Sequence, residues 1–440
     1  MADEPLRSEA LRSPAGTHDV LWPESARWEW VVGDFAKRAS LYGYRLLVTP
    51  VIEDARLFVR GFGETSDVVG KEMYTFEDRG GRPLALRPEG TAPVVRSYIQ
   101  HRPVLPWKVW YLTPAFRYER PQAGRYRQHH QIGVEALGVD SPLLDAEVIE
   151  MAMSTVRATG LRNTELLINS MGCKECRPAY ESALSQYLAS RQGGLCAYHH
   201  EHWKEVPLRV LDCKTEECRG ATMDAPRISD HLCSDCRESF DTVLGDLDAL
   251  GISYTTDYRL VRGFDYYTRT TFEIVSHSLD AAQNAIGGGG RYNGLAEALS
   301  GPPTPGIGFG IGMERLLVAC DAEGCLPVPD PSVDVYVADL GQAGTSTLVH
   351  DLRNAGYSVE RSYEGRSLKA QLRSAGRMGA RIVLIIGQRE AAAGEVLLKP
   401  LALDDDQVVV ARDAIVHEAS KWVERCRRHL AAGRVAERSR

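Results

Sequence analysis

The sequence predicts an α+β chain, in which a strand-rich part carrying a helical insertion precedes a smaller unit of alternating strands and helices. Three observations carry this prediction. At 440 residues the chain is too long for one ordinary core and should divide into two or three domains. Up to about residue 320, β-branched and aromatic runs are joined by a broken, hairpin-like loop and by single helices. Beyond the three prolines of "EGCLPVPDPSVD" the pattern changes to regular strand–helix alternation.

Taken in order, "ESARWEWVVGDFAKRA" (24–39) places Trp28, Val31, Val32 and Phe35 at helical spacing. Tyr42 and Gly43 end that helix, and "YRLLVTPVI" reads as one strand with Pro50 near its end. "PWKVWYLTPAFRYER" (106–120) and "HHQIGVEALG" (129–138) read as the next two strands. Between them, Pro121 and Gly124 break any helix, so the arginine-rich "FRYERPQAGRYRQ" (116–128) reads as a hairpin loop. "SPLLDAEVIEMAMSTVRATG" (141–160) is a helix with a Ser-Pro start and a Gly stop. Residues 172–250 look helical and inserted, and strands resume at "YTTDYRLVRG" and "RTTFEIVS". "PGIGFGIGMERLLVAC" (305–320) is a glycine-laced strand that turns into an apolar helix. The expected boundaries are a flexible N-terminus (1–13), a first domain (14–325), a linker (326–331), an α/β domain (332–428) and a tail (429–440).

Composition narrows the function. A chain that is 44% hydrophobic and 25% charged is an ordinary globular protein. Its net charge of −7 excludes a non-specific coat for nucleic acid but leaves room for a local basic patch. From Ser332 to the end there are 17 lysines and arginines against 14 aspartates and glutamates, a local +3. No run of about 18 apolar residues spans a membrane, and "MADEPLRSEALRSPAG" is unlike a secretory signal. A soluble, cytoplasmic protein is expected.

Seven of the ten cysteines fall between Cys173 and Cys236. They form a C-x2-C pair (Cys173, Cys176), then Cys196, Cys213 and Cys218, then a second C-x2-C pair (Cys233, Cys236). His199, His200 and His202 stand beside Cys196. In a cytosolic chain such spacing suggests zinc before disulfides; small half-buried thiols are the alternative. Spacing does not say which four groups converge, so structural zinc is not the favoured reading and no metal-ligand set is assigned.

Four segments carry chemistry. In the hairpin loop, the planar, permanently charged forks of Arg117, Arg120, Arg125 and Arg127 match phosphate oxygens, although a surface ion-pair cluster is the competing reading. Glu119 among them should face a donor, either an adenine amino group or a neighbouring arginine. In "LVRGFDYYTRTTFEI" (260–274), Arg262, Asp265, Tyr266 and Tyr267 suit a small zwitterionic ligand or an ordinary tyrosine-packed strand. The four successive glycines of "IGGGGRYNGL" (286–295) fit a backbone that closely approaches a ligand or another strand. They match neither common nucleotide-binding glycine fingerprint. "GIGFGIGMER" (306–315) sets Arg315 at the start of a helix, where it could clamp a phosphate or form a salt bridge.

Together and in this order, the segments resemble the histidyl-tRNA synthetases among the class II aminoacyl-tRNA synthetases. "FRYERPQAGRYRQ" is similar to motif 2 of that class, "GIGFGIGMER" to motif 3 and "LYGYRLLVTPVIED" to motif 1. "LVRGFDYYT", "GGGGRYNGL" and "LRPEGTAPVVRSY" resemble segments of the histidine-specific family, and the resemblance runs from about residue 14 to 425. It implies a six- or seven-stranded antiparallel sheet with flanking helices, a helical insertion and a C-terminal anticodon-binding domain. It also implies histidine activation by ATP, with Mg²⁺ on the pyrophosphate oxygens, transfer to tRNA-His, and a homodimer with Pro50 at its interface. ATP would be held by Arg117, Glu119, Arg125, Tyr126, Glu273 and Arg315. Histidine would be held by Glu89, Thr91, Arg127, Gln131, Glu135, Arg262, Tyr266 and Tyr267. Arg262, Arg117 and Arg315 would be catalytic, and Gln122 would meet the tRNA acceptor end. Asn293 stands where the family usually has Asp, His129 where an aromatic is usual, and Ala123 where the loop is often basic. A regulatory relative without the anticodon domain, and a domain repurposed to sense uncharged tRNA, are the competing readings. The chain keeps both the C-terminal domain and the "RGFDYYT" signature, which speaks against the first, and Arg117, Arg125, Arg262 and Arg315 speak against the second.

Overall fold

The computed structural model describes residues 11–63, 66, 68–205, 207–261, 266–280, 283–326, 331–341 and 345–438. The chain separates into two compact units, 1–328 and 329–440.

In the first unit the main sheet is built from β1 (Arg45–Leu46), β5 (Trp107–Phe116), β6 (Gln128–Leu137), β7 (Thr164–Ser170), β8 (Thr255–Thr256), β9 (Thr268–Ser276), β10 (Ala285–Arg291) and β11 (Gly306–Gly312). Their spatial order is β1-β5-β6-β11-β10-β9-β7-β8. The six central strands pair antiparallel throughout. The two-residue strands β1 and β8 extend the edges as parallel neighbours of β5 and β7. A separate three-stranded antiparallel sheet joins β2 (Ile52–Asp54), β3 (Tyr74–Glu77) and β4 (Pro83–Leu86) in the order β2-β4-β3. "YRLLVTPVI" is therefore not one strand. It divides into β1 and β2, which belong to different sheets, with Pro50 between them, since proline cannot donate to a ladder. "YTTDYRLVRG" likewise keeps only Thr255 and Thr256 in a strand among its described residues.

The period-2 alternation of strands gives the main sheet two unlike faces. Ile132 and Val134 of β6, Phe272 and Ile274 of β9, and Phe309 and Ile311 of β11 point into the principal core. The helices Glu24–Leu41, Pro142–Ala158, Ser234–Ala249 and Met313–Glu323 cover that face with residues such as Phe35, Ile149, Leu247 and Leu316. Gln131, Glu273 and Gly310, one position out of phase on the same strands, line a cleft on the other face. Strand register thus fixes which side chains meet a ligand. A one-residue slip would exchange the two sets.

The second unit has its own core around Val335, Leu352, Ile382, Leu384, Val396 and Val423. Its sheet runs β13 (Val359–Arg361), β12 (Val335–Asp339), β14 (Ile382–Ile386), β15 (Glu395–Pro400), β16 (Val408–Ala411). The first three strands are parallel, as the strand–helix alternation demands, and the last two are antiparallel. Asp334 is buried, with Arg381 and Arg427 paired to it at 2.9 and 3.0 Å.

Candidate active site

The hairpin joining β5 and β6 is the centre of the site. Its strands pair from Trp107 opposite Leu137 to Phe116 opposite Gln128. Beyond them, the Arg117 amide donates to the Arg127 carbonyl at 2.9 Å, and Gln122 and Arg125 exchange backbone bonds of 3.0 and 2.9 Å. Gly124 closes that turn at φ +70°, a region that costs other residues about 1 kcal/mol. Gln122 is exposed at the tip.

Under the hairpin lies a cavity of about 640 Å³. Arg117, Glu119, Arg125 and Tyr126 form one wall, and Gln131, Glu273, Gly288 and Gly310 form the floor. Arg315 stands on the far side, while Glu89, Thr91, Tyr266 and Tyr267 close the deeper end. Arg117 Nε donates to the Pro88 carbonyl at 3.0 Å. Arg315 spans two elements, donating to the carbonyls of Gly124 at 3.3 Å and Ala285 at 2.7 Å. Burial pulls its guanidinium below the ordinary arginine value. Glu119 is ion-paired with Arg125, one of the two partners its setting demanded. Its hydrogen bond raises the Arg125 pKa.

At the deeper end, Glu135 is fully buried on β6. It accepts hydrogen bonds from Thr91 Oγ1 at 2.7 Å, from the Tyr111 hydroxyl at 3.2 Å and from the Tyr292 hydroxyl. Burial nevertheless dominates and pushes its carboxyl up to about 8. Glu89 is buried too, and its two oxygens accept from the amides of Thr91 at 2.5 Å and Ala92 at 2.7 Å. It therefore satisfies the first turn of the helix Thr91–His101 while facing the cleft. Tyr266 and Tyr267 lie 4.7 Å apart between ring centres. Burial, followed by the charge of Arg117, pushes the His129 imidazole down to about 3, so a neutral ring faces the cleft.

Other assigned residues sit elsewhere. Arg127 does not line the cavity: its guanidinium stacks 4.1 Å over the Tyr118 ring, and its Nε donates to the Glu119 carbonyl at 3.2 Å. Its stem packs on Gly16, where the backbone comes too close to admit a side chain. Arg262 and Asp265 lie outside the described residues. Pro50 is exposed. Asn293 donates to Asp140 at 3.1 Å and accepts from the Gly306 amide and from Arg291, each at 3.3 Å, and Arg291 also pairs with Asp140 at 3.3 Å. The sequence reading missed Tyr111 and Tyr292, which orient Glu135, and Glu314, which accepts from the His130 amide at 3.0 Å. It also missed Tyr198, Arg209 and Asp212, which the insertion contributes to the cavity. Strand alternation could have placed Tyr111 on the face of Gln131, but short-range pattern has no signal for the insertion's contribution.

An antiparallel sheet that carries a motif 2 hairpin, a glycine-rich strand and a motif 3 arginine around one cleft defines a class II aminoacyl-tRNA synthetase. The family model described as Histidyl-tRNA synthetase matches residues 16–316, and that of the Anticodon binding domain matches 334–422. Histidine–tRNA ligases of Halothermothrix orenii and Dehalococcoides mccartyi are each 46% identical, over 94% of this chain and 100% of their own length. The apo histidyl-tRNA synthetase of S. aureus superposes with a TM-score of 0.78 at 35% identity, covering 93% of this chain and 99% of that one. This chain belongs to the histidyl-tRNA synthetase family.

Proposed function

We propose that the cleft carries out both steps of histidine–tRNA ligation. In the first, a histidine carboxylate oxygen attacks the α-phosphorus of ATP, the bond to the β-phosphate bridge breaks, and histidyl-adenylate and pyrophosphate form. In the second, the 3′-hydroxyl of the terminal adenosine of tRNA-His attacks the acyl carbon, loses its proton, and AMP leaves. The observation that carries this reading is the convergence of Arg117, Arg125 and Arg315 on the same cavity as Glu89, Thr91 and Gln131.

ATP enters by exchanging partners. The Glu119–Arg125 pair opens, Glu119 takes the adenine amino group, and Arg125 takes the γ-phosphate. Arg117 holds the α-phosphate and Arg315 clamps the polyphosphate, both already positioned by backbone carbonyls. Tyr126 packs beside the nucleotide. Glu273 on the cleft floor would offer a hard oxygen to Mg²⁺ brought in with ATP, and the ion would offset charge on the phosphate oxygens. Arg262, assigned from the family resemblance, neutralises charge that develops at the α-phosphate. Glu89, Thr91, Gln131, Glu135, Tyr266 and Tyr267 read the amino acid, since its ammonium and both imidazole nitrogens need polar partners that an apolar wall would not supply. Arg127 acts on histidine only through the loop it braces.

The first domain (14–325) with its insertion (172–250) would do this chemistry, and the unit from 332 to 428 would contact the anticodon. The local charge of +3 from Ser332 to the end of the chain makes tRNA binding weaken with salt. Gln122 would meet the acceptor end, and the working form would be a cytoplasmic homodimer. The test is ATP–pyrophosphate exchange with Mg²⁺. Exchange that appears only on adding L-histidine is expected; no exchange with any amino acid rejects the assignment.

A further inference from the structure

The fold answers which cysteines converge. Cys173, Cys176, Cys233 and Cys236 form one four-residue cluster, and Cys196, His199, Cys213 and Cys218 form another. In each, one donor atom from every residue lies within 4.8 Å of all the others. A tetrahedral zinc ion with sulfur at about 2.3 Å and nitrogen at about 2.0 Å sets edges of roughly 3.8 Å between sulfurs and 3.5 Å between sulfur and nitrogen. Cys173 Sγ lies 3.6 Å from Cys176 Sγ and 3.9 Å from Cys233 Sγ. His199 Nδ1 lies 3.3 Å from Cys196 Sγ and 3.6 Å from Cys218 Sγ. None of the seven thiols is in a disulfide.

The backbone is arranged for charge on these sulfurs. The Cys233 amide donates to Cys176 Sγ at 3.2 Å, Glu175 to Cys173 Sγ at 3.4 Å, and Cys196 to Cys218 Sγ at 3.3 Å. Each C-x2-C pair closes on the start of a long helix, Cys176–Arg191 or Ser234–Ala249, whose free amides favour thiolate. Gly172 enters the first pair at φ +62°, and a Cβ there would stand 2.8 Å from that of Cys176.

A second observation is what the clusters hold together. The helices Ala197–His202, Pro207–Leu211 and Glu216–Ala221 have six, five and six residues, too short to be stable alone. To the core they share with the helix Cys176–Arg191 they contribute only Val210, Leu211, Cys218 and Ala221. Cys196 and His199 tie the first of them, Cys213 follows the second, and Cys218 lies in the third. We propose that the insertion binds two structural Zn²⁺ ions, one by four thiolates and one by three thiolates and the His199 imidazole. Soft sulfur and imidazole donors at tetrahedral spacing select zinc over the hard cations. The second ion also holds part of the cleft wall, because His199 and Cys213 line the cavity with Tyr198, Arg209 and Asp212. That last role rests on the proposed function; the binding itself does not.

The test uses the full chain, purified without a metal-binding tag, and mass-spectrometric metal analysis. About two zinc ions per chain are expected, with Cys173→Ser and Cys213→Ser each losing one. Cobalt substitution should give the intense visible absorption of thiolate-bound tetrahedral Co²⁺. Where a variant does not fold, titration of the native chain with an organomercurial replaces it: zinc released in step with thiol modification supports the sites, and thiols that react without releasing zinc overturn them. One zinc per chain rejects the two-site form, and less than about half rejects both. Histidine-dependent exchange on the same preparation separates the two ideas, since exchange without zinc overturns the metal sites alone and zinc without exchange overturns only the proposed function.

Discussion

Glu135 couples proton balance to substrate recognition. Its carboxyl, raised to about 8 by burial, is neutral in the free cleft at pH 7. A histidine ammonium or imidazole N–H prefers the carboxylate, so below pH 8 binding must first expel a proton. Histidine KM in the exchange reaction should therefore rise toward tenfold per unit as pH falls from 8 to 6.5, and stay flat from 8 to 8.5. Glu135→Gln should raise KM and flatten the profile. A wild-type KM that is level from 6.5 to 8.5 would remove Glu135 from this role. The same shift has a stability consequence in the opposite direction. With the folded value raised, the contribution is complete below the ordinary carboxyl value and is lost as pH rises through about 8. Resemblance pointed to Glu135, but its donors Tyr111 and Tyr292 come from β5 and from just past β10, a convergence that only the folded sheet creates. Arg127 shows the opposite limit. Its charge was legible, but its direction was set by Tyr118 and Gly16, which lie on no common pattern with it.

At the scale of elements, the glycine strand β10 tests how closely the sheet is packed. A Cβ at Gly289 would stand 2.0 Å from the Gly308 carbonyl and 2.7 Å from the Phe309 Cα, both backbone atoms of β11. Backbone within a ladder cannot step aside, so Gly289→Ala should lower Tm by at least about 10 °C or leave no soluble protein. Gly294→Ala is the control, because nothing lies within 4 Å of a Cβ there, and its thermal melt should stay within about 2 °C of wild type. Equal melts for the two variants would show that the close approach does not constrain the sheet. The sequence offered a ligand or another strand as the reason for four glycines. At Gly289 the strand is the reason, while Gly288 also lines the cleft. The strands β5, β6 and β11 were legible because alternation and turn residues agreed. The segment around Pro50 was not, since a run of six or seven β-formers does not reveal that its halves join different sheets.

For the whole molecule, length allowed two or three domains and the proline cluster near residue 329 marked one boundary, but no local pattern says which surfaces a second copy would cover. The segment between the first helix and β2 leaves Leu41 at 85% exposure, Leu46 at 57%, Val48 at 79% and Ile52 at 47%. Beside them β1 is an edge strand, with β5 as its single sheet neighbour. An apolar run on an open edge invites pairing with a second chain unless charge or proline blunts it. Pro50 is the sole proline within 41–52, and it lies outside both β1 and β2. A symmetric dimer that buries this segment would satisfy the apolar groups and brace β5, which carries the ATP hairpin. Light scattering should give twice the chain mass for the wild type. Val48→Asp should shift the population to monomer and cut histidine-dependent exchange at least about tenfold, because a buried unpaired carboxylate costs several kcal/mol. A wild-type chain that runs as a monomer, or a Val48→Asp chain that stays dimeric with full exchange, would place the interface elsewhere.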